Sequence, residues 1–266
     1  MMQQEQVNVL WNEKVGPSYH RIGLTCHEQY SEAIPGQFVM IHFRDRTGPF
    51  LRRPFSIHRL ISENGRTLGI ELLCKIVGEG TKKLCMCRKG DVLDVLGPLG
   101  NGFSFSKKHR RIFMVAGGIG VAPMPFLASF ILSRGVDASA CTVFLGGRSE
   151  VDLLCEDDFL QRGINVYLTT DDGSTGEKCL VTHPMEIAAE KKRPDIIYAC
   201  GPMAMLTCVI SIAEKLKIPC QVSIETMMAC GVGACLGCAV AGRDKPERYM
   251  HACVDGPVFE SNILAI

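Results

Sequence analysis

The chain lacks an excess of charge of either sign. Its 29 lysines and arginines nearly balance 28 aspartates and glutamates, so the net charge of the 266 residues is +1. Without a surplus of positive charge there is no electrostatic argument for binding to nucleic acid or to a membrane surface. Residues 1–11 also lack the apolar core of a signal peptide. We therefore expect neither a nucleic-acid partner nor a membrane partner.

A long uninterrupted hydrophobic run is also missing. Residues 113–132 carry no charge, and a stretch of this length could in principle cross a membrane. Three glycines and two prolines interrupt it, however. These residues divide the stretch into a strand, a turn and a helix, which indicates a globular protein.

Cysteine, in contrast, is abundant, with fourteen residues scattered along the chain. Small secreted proteins held together by disulfides are also rich in cysteine, but this chain is long enough for two domains. We therefore expect free thiols in a reducing compartment, the cytoplasm. Cys85 and Cys87 lie two positions apart with no second pair nearby, and we interpret both as packing residues.

Four cysteines near the C-terminal end have the spacing of an iron–sulfur ligand set. Four residues separate Cys230 from Cys235, two separate Cys235 from Cys238, and fourteen precede Cys253. This spacing is typical of a plant-type [2Fe–2S] cluster and predicts that the four cysteines are its metal ligands. A structural zinc site or buried thiols are the alternatives, but zinc sites usually contain two closely spaced cysteine pairs.

The residues around these cysteines form a small module that we assign to residues 225–266. Gly231, Gly233 and Gly237 would let backbone amides approach the sulfur atoms. A turn signal at residues 242–246 predicts a hairpin that returns the fourth cysteine to the other three. The apolar run at residues 256–259 either contacts a partner or forms a last strand over the core.

Residues 1–106 consist of short strands separated by turns, which predicts a small antiparallel β-barrel. Two of its segments are candidate anion sites. In residues 52–56, two arginines precede an aromatic ring and a hydroxyl, although an exposed basic strand end is the alternative. In residues 77–83, a glycine-rich turn leads into a helix, whose first amides either bind a phosphate or are merely capped.

In residues 107–224 strands and helices alternate, which predicts an α/β domain with an open parallel sheet and helices on both faces. Ligands bind such sheets at the loops that follow the strands, and here those loops are rich in glycine. Residues 117–123 depart from the dinucleotide fingerprint because Pro123 replaces its third glycine. A proline still suits the first turn of a helix, whose amino end can receive a pyrophosphate.

Together these motifs resemble those of the ferredoxin–NADP reductase superfamily. Residues 53–56 resemble its flavin-binding motif, residues 77–81 its second flavin-phosphate loop, and residues 117–123 and 200–203 its two nicotinamide-side motifs. With the cysteine pattern added, residues 9–259 resemble the electron-transfer subunits of type B dihydroorotate dehydrogenase.

This resemblance implies FAD and one [2Fe–2S] cluster as cofactors, with NAD as a substrate. It also implies a partner, the FMN-containing catalytic subunit of dihydroorotate dehydrogenase, in a heterotetramer that serves pyrimidine biosynthesis. Electrons would pass from dihydroorotate through FMN, the cluster and FAD to NAD⁺. A related reductase for a ferredoxin, hydrogenase or oxygenase would have the same fold and cofactors. A non-catalytic sensor is a third possibility, against which the complete set of motifs argues.

The resemblance also implies roles for individual residues. Hydride transfer does not require a thiol, because the chemistry belongs to the flavin, so the cysteine at position 200 would only lie near the hydride path. The residues expected at the flavin are Arg53, Pro54, Phe55, Ser56, Gly78, Gly80 and Thr81. Those expected at the nicotinamide are Gly117, Gly118, Gly120, Cys200, Gly201 and Pro202.

Charged residues after two of the strands predict the choice between NAD and NADP. Asp171 and Asp172 follow the third strand and would repel the 2′-phosphate of NADP. Arg148 follows the second strand, and its guanidinium could bind that phosphate instead. We expect the two carboxylates to prevail and NAD to be preferred.

Overall fold

The computed structural model describes residues 2–43, 49–243 and 249–266, and its first part is a closed antiparallel barrel. The six strands are β1 (Gln3–Gly16), β2 (Tyr19–Thr25), β3 (Phe38–His42), β4 (Arg53–Glu63), β5 (Arg66–Lys75) and β6 (Val92–Leu99). They follow one another around the barrel in the order β1-β2-β5-β4-β3-β6, and β1 pairs with β6 to close it. The predicted barrel is confirmed.

Side chains that alternate along the strands fill the barrel. Val39, Ile41, Ile57 and Leu72 are all fully buried there. A short helix, α1 (Glu79–Met86), follows β5 and adds Leu84 and Cys85 to the same core. The glycine-rich turn predicted to bind a phosphate therefore lies where β5 passes into α1.

The second part of the chain is a parallel sheet with helices on both faces. Its parallel strands are β7 (Ile112–Gly117), β8 (Cys141–Gly147), β9 (Asn165–Thr170), β10 (Ile196–Cys200) and β11 (Cys220–Ser223), in the order β11-β10-β7-β8-β9. The helices are α2 (Met124–Ser133), α3 (Glu156–Leu160), α4 (Thr182–Lys191) and α5 (Met203–Lys215). Within the described ranges, no helix combines the length and the apolar character that crossing a membrane requires.

The two faces of the sheet have separate cores. Leu127 of α2 and Phe159 of α3 pack on one face, together with Met114 and Val143 of the strands. On the other face, side chains of α4 and α5 pack with those of the C-terminal segment. This arrangement confirms the predicted doubly covered sheet.

The C-terminal segment contains the predicted hairpin and returns to the sheet. β12 (Ala239–Ala241) pairs antiparallel with β13 (Tyr249–His251), while residues 244–246 of the predicted turn lie outside the described residues. β14 (Val258–Glu260) then pairs antiparallel with β11. Val258 and Phe259 are buried, so this run is a last strand over the core, and the interpretation of it as a partner contact is wrong.

A buried polar cluster joins the barrel to the parallel sheet. His58 of β4 is fully buried, and its Nδ1 donates to the carbonyl oxygen of Ala122 at 2.5 Å. Its Nε2 lies 3.5 Å from a carboxylate oxygen of Glu71, but burial lowers the pKa of His58 to about 4. The imidazole is therefore neutral at neutral pH and forms no ion pair. Arg59 pairs with Asp158 of α3 and adds a charged link between the two parts.

Acidification is expected to destabilise the fold through His58. The pKa of His58 is about 4 in the folded chain and about 6.5 in the unfolded chain, so the unfolded state binds more protons between these values. Stability that is present above about pH 6.5 is therefore lost as the pH falls, by about 1 kcal/mol at about pH 5.5. In His58→Asn the amide can still donate to Ala122, but there is no imidazole to protonate.

Thermal unfolding followed by circular dichroism at about pH 7.5 and pH 5.5 measures this difference. The melting temperature of His58→Asn should fall less than that of the wild type. His27→Asn, a change at an exposed histidine, should behave like the wild type. Burial also raises the pKa of Glu71, and this shift acts in the opposite direction to that of His58. An equal fall in His58→Asn and wild type would contradict the assignment.

Candidate functional site

A cleft of about 900 Å³ lies between the barrel and the carboxyl ends of the parallel strands. Residues predicted at the flavin and residues predicted at the nicotinamide share its walls. The predicted site residues that line it are Pro54, Phe55, Ser56, Thr81, Gly117, Gly118, Gly120, Arg148, Asp171, Cys200, Gly201 and Pro202. Three predicted flavin residues, Arg53, Gly78 and Gly80, are not among the described residues that line the cleft.

The two arginines at the start of β4 have different environments. Nη2 of Arg52 lies 2.6 Å from Oδ1 of Asp94 on β6, and Nη1 donates to the Asp94 carbonyl oxygen. Arg52 therefore stabilises the barrel. Arg53 lies against the glycine-rich turn instead. A Cβ atom at Gly80 would be only 3.1 Å from Cγ of Arg53. Arg53 is therefore the arginine that can supply charge to a phosphate bound at this turn.

The glycine-rich turn before α1 is both capped and open to an anion. The amides of Val77 and Gly78 donate to the Thr81 hydroxyl at 2.9 and 3.0 Å, and that hydroxyl donates to the Gly78 carbonyl oxygen. The amides of residues 79–81 form the first helical turn, where helix geometry provides no backbone partner. These amides, rather than that of Gly78, are the donors that the turn offers to a phosphate.

Two glycine-rich loops of the sheet touch each other at the floor of the cleft. A Cβ atom at Gly120 would lie 2.3 Å from the carbonyl oxygen of Cys200, and one at Gly117 would lie 2.9 Å from Cδ of Pro202. Gly118 has a φ of +53°, a left-handed conformation that favours glycine. The loops after β7 and β10, predicted separately as nicotinamide motifs, thus form one backbone surface.

Cys200 lies at the end of β10, next to Ser223 of β11, and both residues line the cleft. Burial raises the pKa of the Cys200 thiol to about 12, although a hydrogen bond with Ser223 acts in the opposite direction. The thiol therefore stays protonated near neutral pH and cannot act as a base. It offers the cleft a neutral, compact side chain.

An ion pair across the cleft was not predicted. Lys75 ends β5 of the barrel, and its ammonium lies 2.8 Å from a carboxylate oxygen of Asp152, which follows β8 of the sheet. Tyr19 donates its hydroxyl to the same carboxylate, and Lys75 lies 4.9 Å from the centre of the Tyr19 ring. No spacing or motif in the sequence links these residues, because their contact depends on how the barrel sits on the sheet.

Two threonine hydroxyls of the cleft suit a polar ligand. Thr169 at the end of β9 and Thr226 after β11 both line the cleft. Their Oγ1 atoms are buried and have no hydrogen-bond partner among the described residues. An unpaired buried hydroxyl is unfavourable, so a nucleotide cofactor that bonds to these groups fits the cleft.

The loops after β8 and β9 bring the predicted specificity residues together. The amide of Asp171 donates to the Gly147 carbonyl oxygen at 3.0 Å, and that of Asp172 donates to the Arg148 carbonyl oxygen at 3.2 Å. Hydrogen bonds from Ser174 lower the pKa of Asp172, so this carboxylate is ionised at neutral pH. Both acids therefore border the region that Arg148 reaches.

The four predicted cluster cysteines form two pairs. The sulfur atoms of Cys238 and Cys253 are 3.2 Å apart, and the Cys235 thiol lies within hydrogen-bond reach of Cys230. All four belong to the described ranges, and no three of their sulfur atoms lie within 4.8 Å of one another. One tetrahedral zinc ion with Zn–S bonds of about 2.3 Å would require all four within roughly 3.8 Å. Two separate pairs fit a two-iron cluster better.

Backbone amides point at the sulfur atoms of these pairs. Val232 and Cys235 both donate their N–H to Sγ of Cys230 at 3.4 Å, and Gly233 donates to Sγ of Cys253 at 3.2 Å. Burial alone would raise the pKa of Cys230, but these bonds lower it to about 7. The loop therefore favours the thiolate at Cys230, which is the form that binds iron. At Cys253, burial and the neighbouring Cys238 raise the pKa to about 12, although the bond from Gly233 acts in the opposite direction.

The cysteine loop lies beside the cleft. Met228 lines the cleft, and Cys230 follows two positions later. Gly231 has a φ of +74°, and a Cβ atom there would lie 2.5 Å from Cγ of Met40 on β3. Glycine thus lets the loop approach the barrel closely, and the candidate cluster site adjoins the candidate flavin site.

A second group of possible metal ligands occurs among the described residues. One ligand atom each of His58, Cys155 and Asp158 lies within 4.8 Å of the other two. The Arg59 guanidinium already pairs with Asp158, so a positive charge occupies the position next to this group. That charge disfavours a metal ion here.

Two family models match the chain. The iron–sulfur cluster binding domain of dihydroorotate dehydrogenase B matches residues 225–265, and the oxidoreductase NAD-binding domain matches residues 114–210. The chain is also 38% identical over 255 residues to a protein of Caldanaerobacter subterraneus subsp. tengcongensis, the dihydroorotate dehydrogenase B (NAD(+)) electron transfer subunit. This match covers 96% of the chain and 95% of the relative.

Solved structures have the same architecture. A structure of an NADH-dependent reduced ferredoxin-NADP oxidoreductase, studied for flavin-based electron bifurcation, superposes with a TM-score of 0.84 at 28% identity. The match covers 97% of this chain and 89% of the other. A ferredoxin NADP⁺ reductase from Neisseria gonorrhoeae with bound FAD and NADP has a TM-score of 0.66 at 14% identity, over 80% of this chain and 91% of the other, which supports the fold alone.

Replacing Cys253 by serine is expected to remove or strongly reduce the iron–sulfur cluster, because oxygen is a poorer ligand than thiolate in such a site. Iron content, acid-labile sulfide and visible absorption of the purified protein measure the effect. Cys220→Ser, a change at a buried thiol of β11, should keep wild-type values. Iron and sulfide at wild-type levels in Cys253→Ser would exclude this residue from the ligand set.

Proposed function

Since the chain belongs to the family of dihydroorotate dehydrogenase B electron transfer subunits, we propose that it transfers electrons from an FMN-containing catalytic subunit to NAD⁺. One observation carries this proposal. The two thiol pairs lie in a loop that begins at the wall of the cleft, and this cleft contains both the flavin motifs and the nicotinamide motifs. When bound, FAD supplies hydride exchange with the nicotinamide, and a [2Fe–2S] cluster supplies single-electron transfer.

The barrel side of the cleft would hold the flavin. Arg53 and the amides of residues 79–81 are the donors for the phosphates, since they meet at the turn before α1. Phe55 and Ser56 line the adjoining wall and are suited to packing against the ring system and bonding to the ribityl chain. The Thr226 hydroxyl, which has no partner among the described residues, is a further donor on this path toward the cysteine loop.

The sheet side of the cleft would hold the nicotinamide nucleotide. At the glycines of the loops after β7 and β10 no side chain projects from the backbone, so a planar ring can approach this surface. Cys200 borders this surface as a neutral thiol and serves to position the ring. The protein's contribution to hydride transfer here is alignment and exclusion of water.

The catalytic subunit would dock on the face that carries the cysteine loop. Cys235 is exposed, and four apolar residues within residues 227–254 of the cysteine module are exposed as well. They are Met227, Val232, Leu236 and Val254, of which Met227 is 89% exposed. An apolar group of this kind beside a redox site is typical of a protein contact. Assembly into a heterotetramer belongs to the same proposal and rests on the resemblance in sequence.

A second candidate function is supported by the structural match to the NADH-dependent reduced ferredoxin-NADP oxidoreductase. In that case the chain would serve a ferredoxin-linked reductase with the same cofactors. Only the partner separates the two candidates, so a test of the function must supply the partner.

NADH is expected to be a better substrate than NADPH. Asp171 and the ionised Asp172 lie beside the end of β9, where they repel the 2′-phosphate of NADPH. Steady-state reduction of an artificial acceptor should give a kcat/KM for NADH at least about tenfold higher, equivalent to about 1.4 kcal/mol. Asp171→Asn should narrow the ratio, and Arg148→Gln should widen it. Equal efficiencies in the wild type would mean that Arg148 outweighs the carboxylates.

Mixing the chain with an FMN-containing dihydroorotate dehydrogenase catalytic subunit should create dihydroorotate:NAD⁺ activity. The chain alone should reduce artificial acceptors with NADH but should not oxidise dihydroorotate, because the barrel, the sheet and the cysteine module account for the elements formed by the described residues. Absorbance of NADH at 340 nm and gel filtration of the mixture measure activity and complex formation.

A matched pair of variants tests where the partner docks. Met227→Asp places a charge beside the cysteine loop and should prevent the complex, whereas Met86→Asp changes an exposed methionine at the end of α1 and should not. Iron content should be normal in both variants. Absence of complex and activity with the wild type, together with efficient reduction of a ferredoxin, would favour the second candidate function.

A further inference from the structure

Two free thiols at the edge of the barrel core face each other. Cys74 is on β5 and Cys85 is on α1, and their sulfur atoms are 3.5 Å apart. Both are buried, with exposed fractions of 1% and 7%. Cys87 is closer to Cys85 in the sequence, but the sulfur of Cys85 contacts that of Cys74, eleven positions earlier on another element. Packing alone does not require two adjacent thiols.

The two thiols enclose the glycine-rich turn. Residues 77–81 lie between them in the sequence, so a bond between the sulfur atoms would fix both ends of the segment that offers amides to a phosphate. Cys74 lines the large cleft, and Cys85 lines a separate pocket of about 460 Å³ together with Trp11 and His20. A small reagent can therefore approach the pair from either pocket.

We propose that Cys74 and Cys85 are a redox modification site that forms a reversible disulfide with hydrogen peroxide as the oxidant. The disulfide closes a ring around the turn that offers its amides to the flavin phosphates. The modification itself depends only on the two thiols. Its consequence for the flavin rests on the proposed function of the cleft.

The chemistry begins at Cys85. The hydrogen bond between the two sulfur atoms lowers the pKa of Cys85, while the same bond and burial raise the pKa of Cys74. The Cys85 thiolate attacks one oxygen of hydrogen peroxide, which breaks the O–O bond and gives a sulfenic acid and hydroxide. The Cys74 sulfur then attacks the sulfenic sulfur, and its proton leaves with the hydroxyl group as water. Two sulfur atoms lose two electrons, and peroxide gains them.

The two sulfur atoms are already in non-bonded contact. The sulfur atoms must approach from 3.5 Å to about 2.05 Å, a movement of about 1.5 Å. α1 is a short helix of 8 residues whose last residue, Met86, is 69% exposed, so the sulfur that must move belongs to a short element at the surface. A closed ring limits the conformations of the turn when the flavin is absent, and a preorganised turn releases its ligand more slowly.

Peptide mapping tests the modification. The purified holoprotein is treated with hydrogen peroxide, alkylated and digested with trypsin, which leaves Cys74 in peptide 67–75 and Cys85 in peptide 84–88. Mass spectrometry should find these two peptides linked in the wild type and in Cys87→Ser, and dithiothreitol should separate them. The link should be absent from Cys74→Ser and Cys85→Ser. Absence of the link in the wild type, or its loss in Cys87→Ser, would overturn the proposal.

Flavin release tests the consequence. The fluorescence of released FAD should appear at least about threefold more slowly from peroxide-treated wild type than from untreated protein. Cys141→Ser, a change at a buried thiol of β8, should respond like the wild type, whereas Cys74→Ser should not respond. Peroxide damage to the cluster affects all three proteins equally. If the peptides are linked but the rate of FAD release is unchanged, the effect of the disulfide on flavin binding is refuted. If the purified protein contains no FAD, the proposed function of the cleft is refuted, and the peptide mapping still tests the disulfide.

Discussion

The antiparallel pairing of β14 with β11 is the contact on which the position of the cysteine module depends. The module begins where β11 ends and returns to that same strand, so one edge of the sheet anchors both of its ends. Residues 224–226 and 228 line the cleft on the way out, and Pro257 lines it on the way back. The four thiols therefore cannot move away from the cleft unless the edge of the sheet opens.

Backbone amides supply positive potential at both candidate sites, beside the charged side chains of the cleft. The first turn of α1 does so for phosphates, and the loop around Cys230 does so for thiolates. This use of the backbone agrees with a chain of net charge +1 and explains why its binding loops are rich in glycine. Amides that are fixed by the fold need no reorganisation when a negative group arrives.

Local spacing predicted the architecture and most of the cleft, whereas contacts between distant elements could not be predicted. The cysteine spacing and the glycines after β7 and β10 report on backbone geometry within one loop, and the structure brings those loops together. The separate roles of Arg52 and Arg53 depend on how β3 pairs with β4 on one side and with β6 on the other, which brings Arg52 to Asp94. The contact of Cys74 with Cys85 depends on how α1 packs against β5, which no spacing in the sequence records.

The ion pair between Lys75 and Asp152 joins the two walls of the cleft in a way that depends on dissolved salt. The two walls are joined here by partly exposed charges, and Lys75 remains 32% accessible. Dissolved salt screens such charges, whereas it has little effect on the apolar core inside the barrel. The contribution of this ion pair to holding the two walls together therefore falls as ionic strength rises, whereas the packing of the barrel core changes little.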